Sequence, residues 1–377
     1  MPRNHINNSL IFDNFIYIFY FLIVVSFTVF LFGGLDNYLN LYKINADNNA
    51  YYSIFLKLES LFNNQYIDIK NNIAIPGLSF FIFIFAKIFF LKFDYAFFLL
   101  MFICYIFSLN FIRLLSNSSI SYFSLIFSWE FIMTTTTGGT EPLIIFFLYS
   151  SVYFYKVNKI NLAYFLIFLG ALTKPFMVSV LLAYAVFKFF DNKLNFYEIM
   201  RICLYTTFLV IIFIIMSHIL YNNISNIINM YKSQAWLTDD KSFNIPLIIF
   251  FKTMFGTIYK LDNTLKILFY FFLHLVPIVI ALNKKIYLDK SRNLYFFILL
   301  FYFLIVIFYP SIWSYYEFVR FISPVTPLAI YLLFQQFDII KNLFRNKIII
   351  SFLLVSSALF YACANYGIKN FINLIFL

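Results

Sequence analysis

The sequence predicts an all-α polytopic transmembrane helical bundle of about 11 spans, each near the ~20 apolar residues that a bilayer core requires. Three observations lead there. Apolar residues make up 63% of the 377-residue chain and charged residues only 11%, against roughly 25% charged in soluble domains. Mean hydropathy is +0.87. The apolar residues also fall in long runs parted by short polar connections, and the run 15–35 contains no charge at all.

That first run is longer than the ~7–15-residue apolar stretch of a secretory signal, and no small-x-small site follows it, so it reads as a span. After it comes a polar loop, 36–72. Within that loop Ile54, Phe55, Leu58, Leu61 and Phe62 recur at helical spacing, which predicts an amphipathic helix on the bilayer surface. Further spans are predicted near 95–112, 120–133, 142–155, 160–173, 176–190, 202–220, 264–282, 294–310, 320–337 and 348–366.

Basic residues gather in the connections 156–159, 188–201, 284–292 and 341–347, which the positive-inside rule places in the cytoplasm. Loops 134–141, 222–263 and 311–319 then face outward. With the amino terminus inside, the parity works only if the apolar segment 73–91 does not cross. It is predicted to be juxtamembrane or re-entrant, with Lys87 and Lys92 reaching the same surface; the alternative is that the short run 120–133 does not cross. The chain thus reads as a single integral-membrane domain over 1–377, with a first outer loop at about 36–92 and a second at about 222–263, each bounded by apolar runs of spanning length.

Composition also excludes some classes. The net charge of +11, from 27 basic and 16 acidic residues, is accounted for by cations flanking spans, so no nucleic-acid partner is implied. Cys104, Cys203 and Cys363 lie far apart in apolar stretches, and His5, His218 and His274 are equally scattered. Neither a disulfide framework nor a metal-ligand spacing is present.

The chemistry-bearing residues sit at helix breaks. In "TTTTGGTEPLIIFFLYS", residues 134–150, two glycines end one helix and Pro142 suits the first turn of the next. Glu141 falls at that amino terminus, where the helix dipole favours an anion; an acidic cap on an outer loop is the plainer reading. Lys174, in "LGALTKPFMVSV", lies on the same face ahead of Pro175. It can pair with Glu141, reach lipid phosphate or bind an anionic substrate. Arg320, in "SIWSYYEFVRFISPVTPLAIYLL", opens another span, with Glu317 one turn before it as a local ion-pair partner. Head-group anchoring is the plainer reading of both bases. Taken together, carboxylates and fixed cations on one face are what removal of a sugar from a lipid phosphate needs. A carboxylate base takes the proton of the attacking hydroxyl, and cations stabilise the departing phosphate.

At these residues the chain resembles the GT-C superfamily of integral-membrane glycosyltransferases, in particular the GPI-type mannosyltransferases and the bacterial relatives of protein O-mannosyltransferases and aminoarabinose transferases. The likeness rests on a Thr-Glu that opens a span, a two-helix hairpin and a Leu-Thr-Lys-Pro break, read here in "GGTEPLIIFFLYSSVYFYKVNKINLAYFLIFLGALTKPF". It also rests on an acidic residue in the first loop, where "ADNNAYYSIFLKL" supplies Asp47 with Tyr51 and "GGLDNY" offers Asp36 as a rival, and on the late "VRFISPVTPLAIYLL". The resemblance implies transfer of a sugar from a polyprenyl-phosphate donor to a glycan, lipid or protein hydroxyl at the outer face of a bacterial inner membrane. It implies Asp47, Asp36 and Glu141 as catalytic candidates, Lys174 and Arg320 as phosphate ligands, and Tyr51 and Glu317 as further candidates. No cofactor is implied; there is no D-x-D motif, and a divalent metal stays open. Two other readings stand beside it: a transporter or flippase of lipid-linked glycans, for which broken helices with ionisable residues are also typical, and a glycan polymerase or ligase.

Overall fold

A chain this apolar can leave no backbone amide or carbonyl bare in lipid, and a helix meets that demand within a single segment. The computed structural model describes residues 3–44, 46–63, 76–116, 118–191, 195–221, 261–283, 290–308, 319–336 and 347–366. Among these there are 15 α-helices and no strand, which makes the fold all-α. Three helices are long and apolar enough to cross a membrane, at Leu10–Leu31, Phe93–Leu115 and Phe196–Leu220, and several shorter apolar helices accompany them.

Helix α1, Arg3–Leu31, stops at Gly33 and Gly34, whose φ values of 73° and 135° end it sharply. The stretch expected as a first loop holds three helices: α2, Leu35–Ile44; α3, Ala46–Phe62, on the amphipathic pattern; and α4, Gly77–Phe89, on the segment expected to be juxtamembrane or re-entrant. The apolar stripe expected to be helical lies on α3 and divides along its length. Ile54 and Phe55 are buried against the bundle, whereas Leu61 and Phe62 are exposed. The sequence carries the signal for α2 as well, in the i, i+3, i+4 spacing of Tyr38, Leu41 and Tyr42.

Helix α4 has 13 residues, a rise of about 20 Å, short of the ~30 Å bilayer core. It runs alongside α3 in the same direction, as shown by the Ser79 hydroxyl on the Tyr51 carbonyl, the Phe55–Phe83 ring contact and the Lys87–Glu59 ion pair at 3.0 Å. Its first residue abuts the end of α9, Ile160–Thr173. A Cβ on Gly77 would lie 2.2 Å from the Leu172 carbonyl oxygen and 2.8 Å from the Thr173 nitrogen. Only glycine lets the two backbones meet there.

Helix α5, Phe93–Leu115, lies antiparallel to α1. Tyr105 donates to the Tyr17 carbonyl, Asn110 to the Asn14 side chain, and Arg113 pairs with Asp13, which also receives the Tyr122 hydroxyl. The run expected as one span near 120–133 is two helices, α6, Ser118–Phe127, and α7, Trp129–Thr137, separated at Ser128. Neither Gly nor Pro marks this break. Instead, three tyrosines from distant helices hold its loosened carbonyls: Tyr20 donates to Leu125, Tyr361 to Ile126 and Tyr270 to Phe127.

The rest follows in order: α8, Glu141–Lys156; α9; a 3-10 turn at Pro175–Met177; α10, Val178–Phe190; α11, Phe196–Tyr221; α12, Leu261–Asn283; α13, Lys290–Phe308; a helical stretch at 319–322; a second 3-10 turn at Ser323–Val325; α14, Thr326–Gln336; and α15, Lys347–Tyr366. Helices α8, α9 and α10 have only 16, 14 and 13 residues. They rise about 20–24 Å, less than a bilayer core, while their neighbour α11 has 26. Residues 222–260, most of the stretch expected as a second outer loop, lie outside the described residues.

The Gly77 contact generates a stability prediction. Gly77→Ala should force α4 away from α9 and cost about 1–3 kcal/mol, as overpacking does. A thermal unfolding midpoint in detergent equal to that of the parent protein would show that the two backbones do not meet.

Candidate functional site: a buried carboxylate held between two cations

The site is built from helix ends. Along α7 the hydroxyls of Thr134, Thr135, Thr136 and Thr137 each bond the carbonyl four residues back, on Glu130, Phe131, Ile132 and Met133. This back-bonding lets a polar tetrad sit in an apolar interior. The last carbonyls of the helix then have no amide to accept. Tyr42 donates to the Thr135 carbonyl at 3.0 Å, Tyr38 to Thr136 at 2.6 Å, and the Asn48 amide to Thr137 at 2.8 Å. Helices α2 and α3 of the first loop are thereby fastened to the end of α7. Burial pushes the Tyr38 and Tyr42 phenols well above their ordinary range, so both remain neutral donors.

At Gly138 the backbone turns with φ 87°, and a Cβ would lie 2.6 Å from the Asn48 side-chain nitrogen. The chain reverses and α8 begins at Glu141 with Pro142 in its first turn. The Glu141 side chain has no solvent exposure. Its Oε1 accepts from Lys174 Nζ at 2.9 Å, Arg320 Nε at 2.8 Å and the Thr140 hydroxyl at 3.3 Å.

Each cation is presented by its own break. Lys174 caps α9 in an extended conformation, and Pro175 starts the 3-10 turn behind it. Its Nζ lies 4.2 Å above the Phe321 ring, a cation–π distance that fixes its direction. Arg320 precedes the turn Ser323–Val325, where the Ser323 hydroxyl returns to the Arg320 carbonyl at 3.0 Å. Phe176 and Phe321 meet at 5.2 Å and lock the two turns together. Lys174 and Arg320 side chains keep 11% and 16% of their surface open. The cations therefore form the accessible side of the cluster, with the carboxylate behind them.

Of the predicted site residues, Glu141, Lys174 and Arg320 come together. Asp47 lies in the first turn of α3, one residue before the Asn48 that grips α7; its side chain is outside the described residues. Tyr51 is buried in α3, and its carbonyl accepts from Ser79. Asp36 is exposed, whereas Tyr38 and Tyr42 of the same helix face α7. Glu317 lies outside the described residues, and with it the predicted local pair to Arg320. The Glu141–Arg320 contact, 179 positions apart in sequence, has no local signal that could announce it. Tyr38, Tyr42 and Asn48 were not singled out by sequence; only the i, i+4 spacing of the two tyrosines hints at their role. Among the described residues no group of three or more His, Cys, Asp or Glu side chains comes together.

The fold and this cluster define an apolar, all-α protein whose charged centre is assembled at helix breaks. No protein-family profile, curated protein or solved structure matches the chain.

The two-to-one arrangement predicts an asymmetry. Glu141→Gln withdraws the shared partner of both cations and should cost about 3–5 kcal/mol, the range for a broken buried pair. Lys174→Met leaves Glu141 with Arg320 and should cost clearly less. Equal losses of unfolding midpoint in detergent would contradict the shared-partner geometry.

Proposed function

We propose that the protein is a GT-C-like glycosyltransferase of about 11 spans, seated in a bacterial inner membrane with its active face outward. It moves a sugar from a polyprenyl-phosphate donor to the hydroxyl of a glycan, lipid or protein acceptor. One observation carries this reading: Glu141, Lys174 and Arg320, the residues on which the family likeness rests, share a single hydrogen-bonded cluster.

In this reading the acceptor hydroxyl loses its proton to a first-loop carboxylate while its oxygen bonds the anomeric carbon. The bond from that carbon to the phosphate oxygen breaks, and the electron pair leaves with the polyprenyl phosphate. Lys174 and Arg320 stabilise the charge that grows there, Arg through its fork and Lys as a point charge. Glu141, sealed behind them, aims the two cations and is not the base. Asp47 is the better base candidate, because its helix is tied to the α7–α8 break through Asn48. Asp36 lies on the exposed side of α2. The residues present supply this chemistry without a metal, and none is required by the reading.

A transporter or flippase of lipid-linked glycans is the second reading, favoured by one observation. Three helix breaks, at Gly138, Lys174 and Ser323–Val325, meet around ionisable side chains, as in proteins that alternate access. A polymerase or ligase would use the same donor chemistry.

The test is transfer from synthetic polyprenyl-phosphate sugars by the purified protein. Asp47→Asn should abolish transfer with membrane insertion intact, and Asp36→Asn should retain it; the reverse pattern would move the base to Asp36. Arg320→Met should raise the KM for donor far more than that for acceptor. Equal effects on both substrates would remove Arg320 from the phosphate, and lipid flipping without transfer would put the transporter reading first.

A further inference from the structure

His274, on α12, lies outside the charged centre, yet hydrogen bonds lead from it to that centre. Its side chain is fully buried, and its ring lies parallel to that of Phe303 on α13, with centroids 6.4 Å apart. Nδ1 stands 2.6 Å from the Tyr270 carbonyl oxygen, one turn back on the same helix. A carbonyl only accepts, so Nδ1 carries the ring proton. In the neutral imidazole the other nitrogen is then an acceptor. The Thr326 hydroxyl, 3.3 Å from Nε2, is its donor.

Thr326 opens α14 directly behind the turn Ser323–Val325, and its amide closes that turn on the Ser323 carbonyl. The Ser323 hydroxyl bonds the Arg320 carbonyl at 3.0 Å, and Arg320 Nε reaches Glu141 Oε1 at 2.8 Å. A continuous series of hydrogen bonds therefore joins His274 to the carboxylate through the turn that presents Arg320. The same stretch of α12 reaches the other half of the centre. Tyr270 donates its hydroxyl to the Phe127 carbonyl at 2.6 Å, at the break before α7, and α7 leads through Gly138 to Glu141. Residues 270–274 thus bridge the break ahead of Glu141 and the break behind Arg320. Two side chains 179 positions apart can meet only if those breaks keep a fixed separation.

We propose that His274, in its Nδ1–H tautomer, is a positioning residue for Arg320. Its Nε2 holds the Thr326 hydroxyl and so fixes the turn Ser323–Val325 where the guanidinium meets Glu141. A threonine hydroxyl at a helix start or interior otherwise serves its own backbone, as all four threonines of α7 do. Thr326 donates across to α12 instead, which ties the start of α14 to a second helix. This inference is independent of the transferase reading.

The test is thermal unfolding of full-length variants in detergent, with no substrate present. His274→Gln can set an amide oxygen where Nε2 stands; the shorter His274→Asn replaces Nδ1 alone and leaves Thr326 without its acceptor. Thr326→Val removes only the hydroxyl. His274→Asn and Thr326→Val should each lower the midpoint, their combination should lose well under the sum, and His274→Gln should recover most of the loss. A merely structural contact predicts no more than this. Positioning of Arg320 further requires that the His274→Asn loss be clearly smaller in a Glu141→Gln background, where the carboxylate to be met is gone. Thr326→Val made in the same two backgrounds answers the question if His274→Asn does not fold, and Arg320→Met serves as a second background. Equal losses with and without Glu141 overturn the proposal, as does a Gln variant no better than Asn.

Discussion

The interaction on which the rest of the structure depends is the pairing of Glu141 with Lys174 and Arg320 in an apolar interior. Separating such charges leaves ions uncompensated where water cannot reach them, at a cost of several kcal/mol. The pairing therefore fixes the relative positions of α8, α9 and the broken helix before α14. It also explains why those helices stop where they do. A side chain can sit at the heart of a cluster when its helix ends there, and helices α8 to α10, at 13 to 16 residues, are shorter than a bilayer core.

Helix ends inside an apolar bundle raise a second problem, because their carbonyls need donors that lipid cannot supply. Tyrosine supplies them. Tyr20, Tyr361 and Tyr270 serve the break at Ser128, and Tyr38 and Tyr42 serve the end of α7. A tyrosine brings a large apolar ring that packs like a core residue and one donor at its tip. The first-loop helices gain their place through the same contacts, which is how Asp47 comes to lie on an element tied to the α7–α8 break. The ionic contacts at α1–α5 and α10–α11, Asp13 with Arg113 and Glu198 with Lys188 and Arg201, obey the same demand that buried charge be paired.

The legible parts of this arrangement were those with a local cause. Gly138, Pro142, Pro175 and Pro324 punctuate the chain, and the charged residues beside them, Glu141, Lys174 and Arg320, could be picked out from that alone. The all-α class followed from composition and run length. What stayed hidden depended on contacts across the chain. Nothing near Ser128 breaks a helix, and the tyrosines that stabilise the break lie more than a hundred positions away on either side. The contact of Arg320 with Glu141 depends on turns far apart in the chain, which the Phe176–Phe321 ring contact joins; the local pair with Glu317 that the spacing suggests lies outside the described residues. The short amphipathic pattern in the first loop showed a helix but not which half of it the bundle would bury.

The most direct test of this account is the coupling between Glu141 and Arg320 in a double-mutant cycle. Glu141→Gln and Arg320→Met would be made singly and together, and unfolding followed in detergent. The pairing predicts strong non-additivity, with the double variant losing well under the sum of the single losses, by on the order of 1–3 kcal/mol. Losses that add to within about 0.5 kcal/mol would mean that the two side chains do not meet, and the shared charged centre would be lost with them.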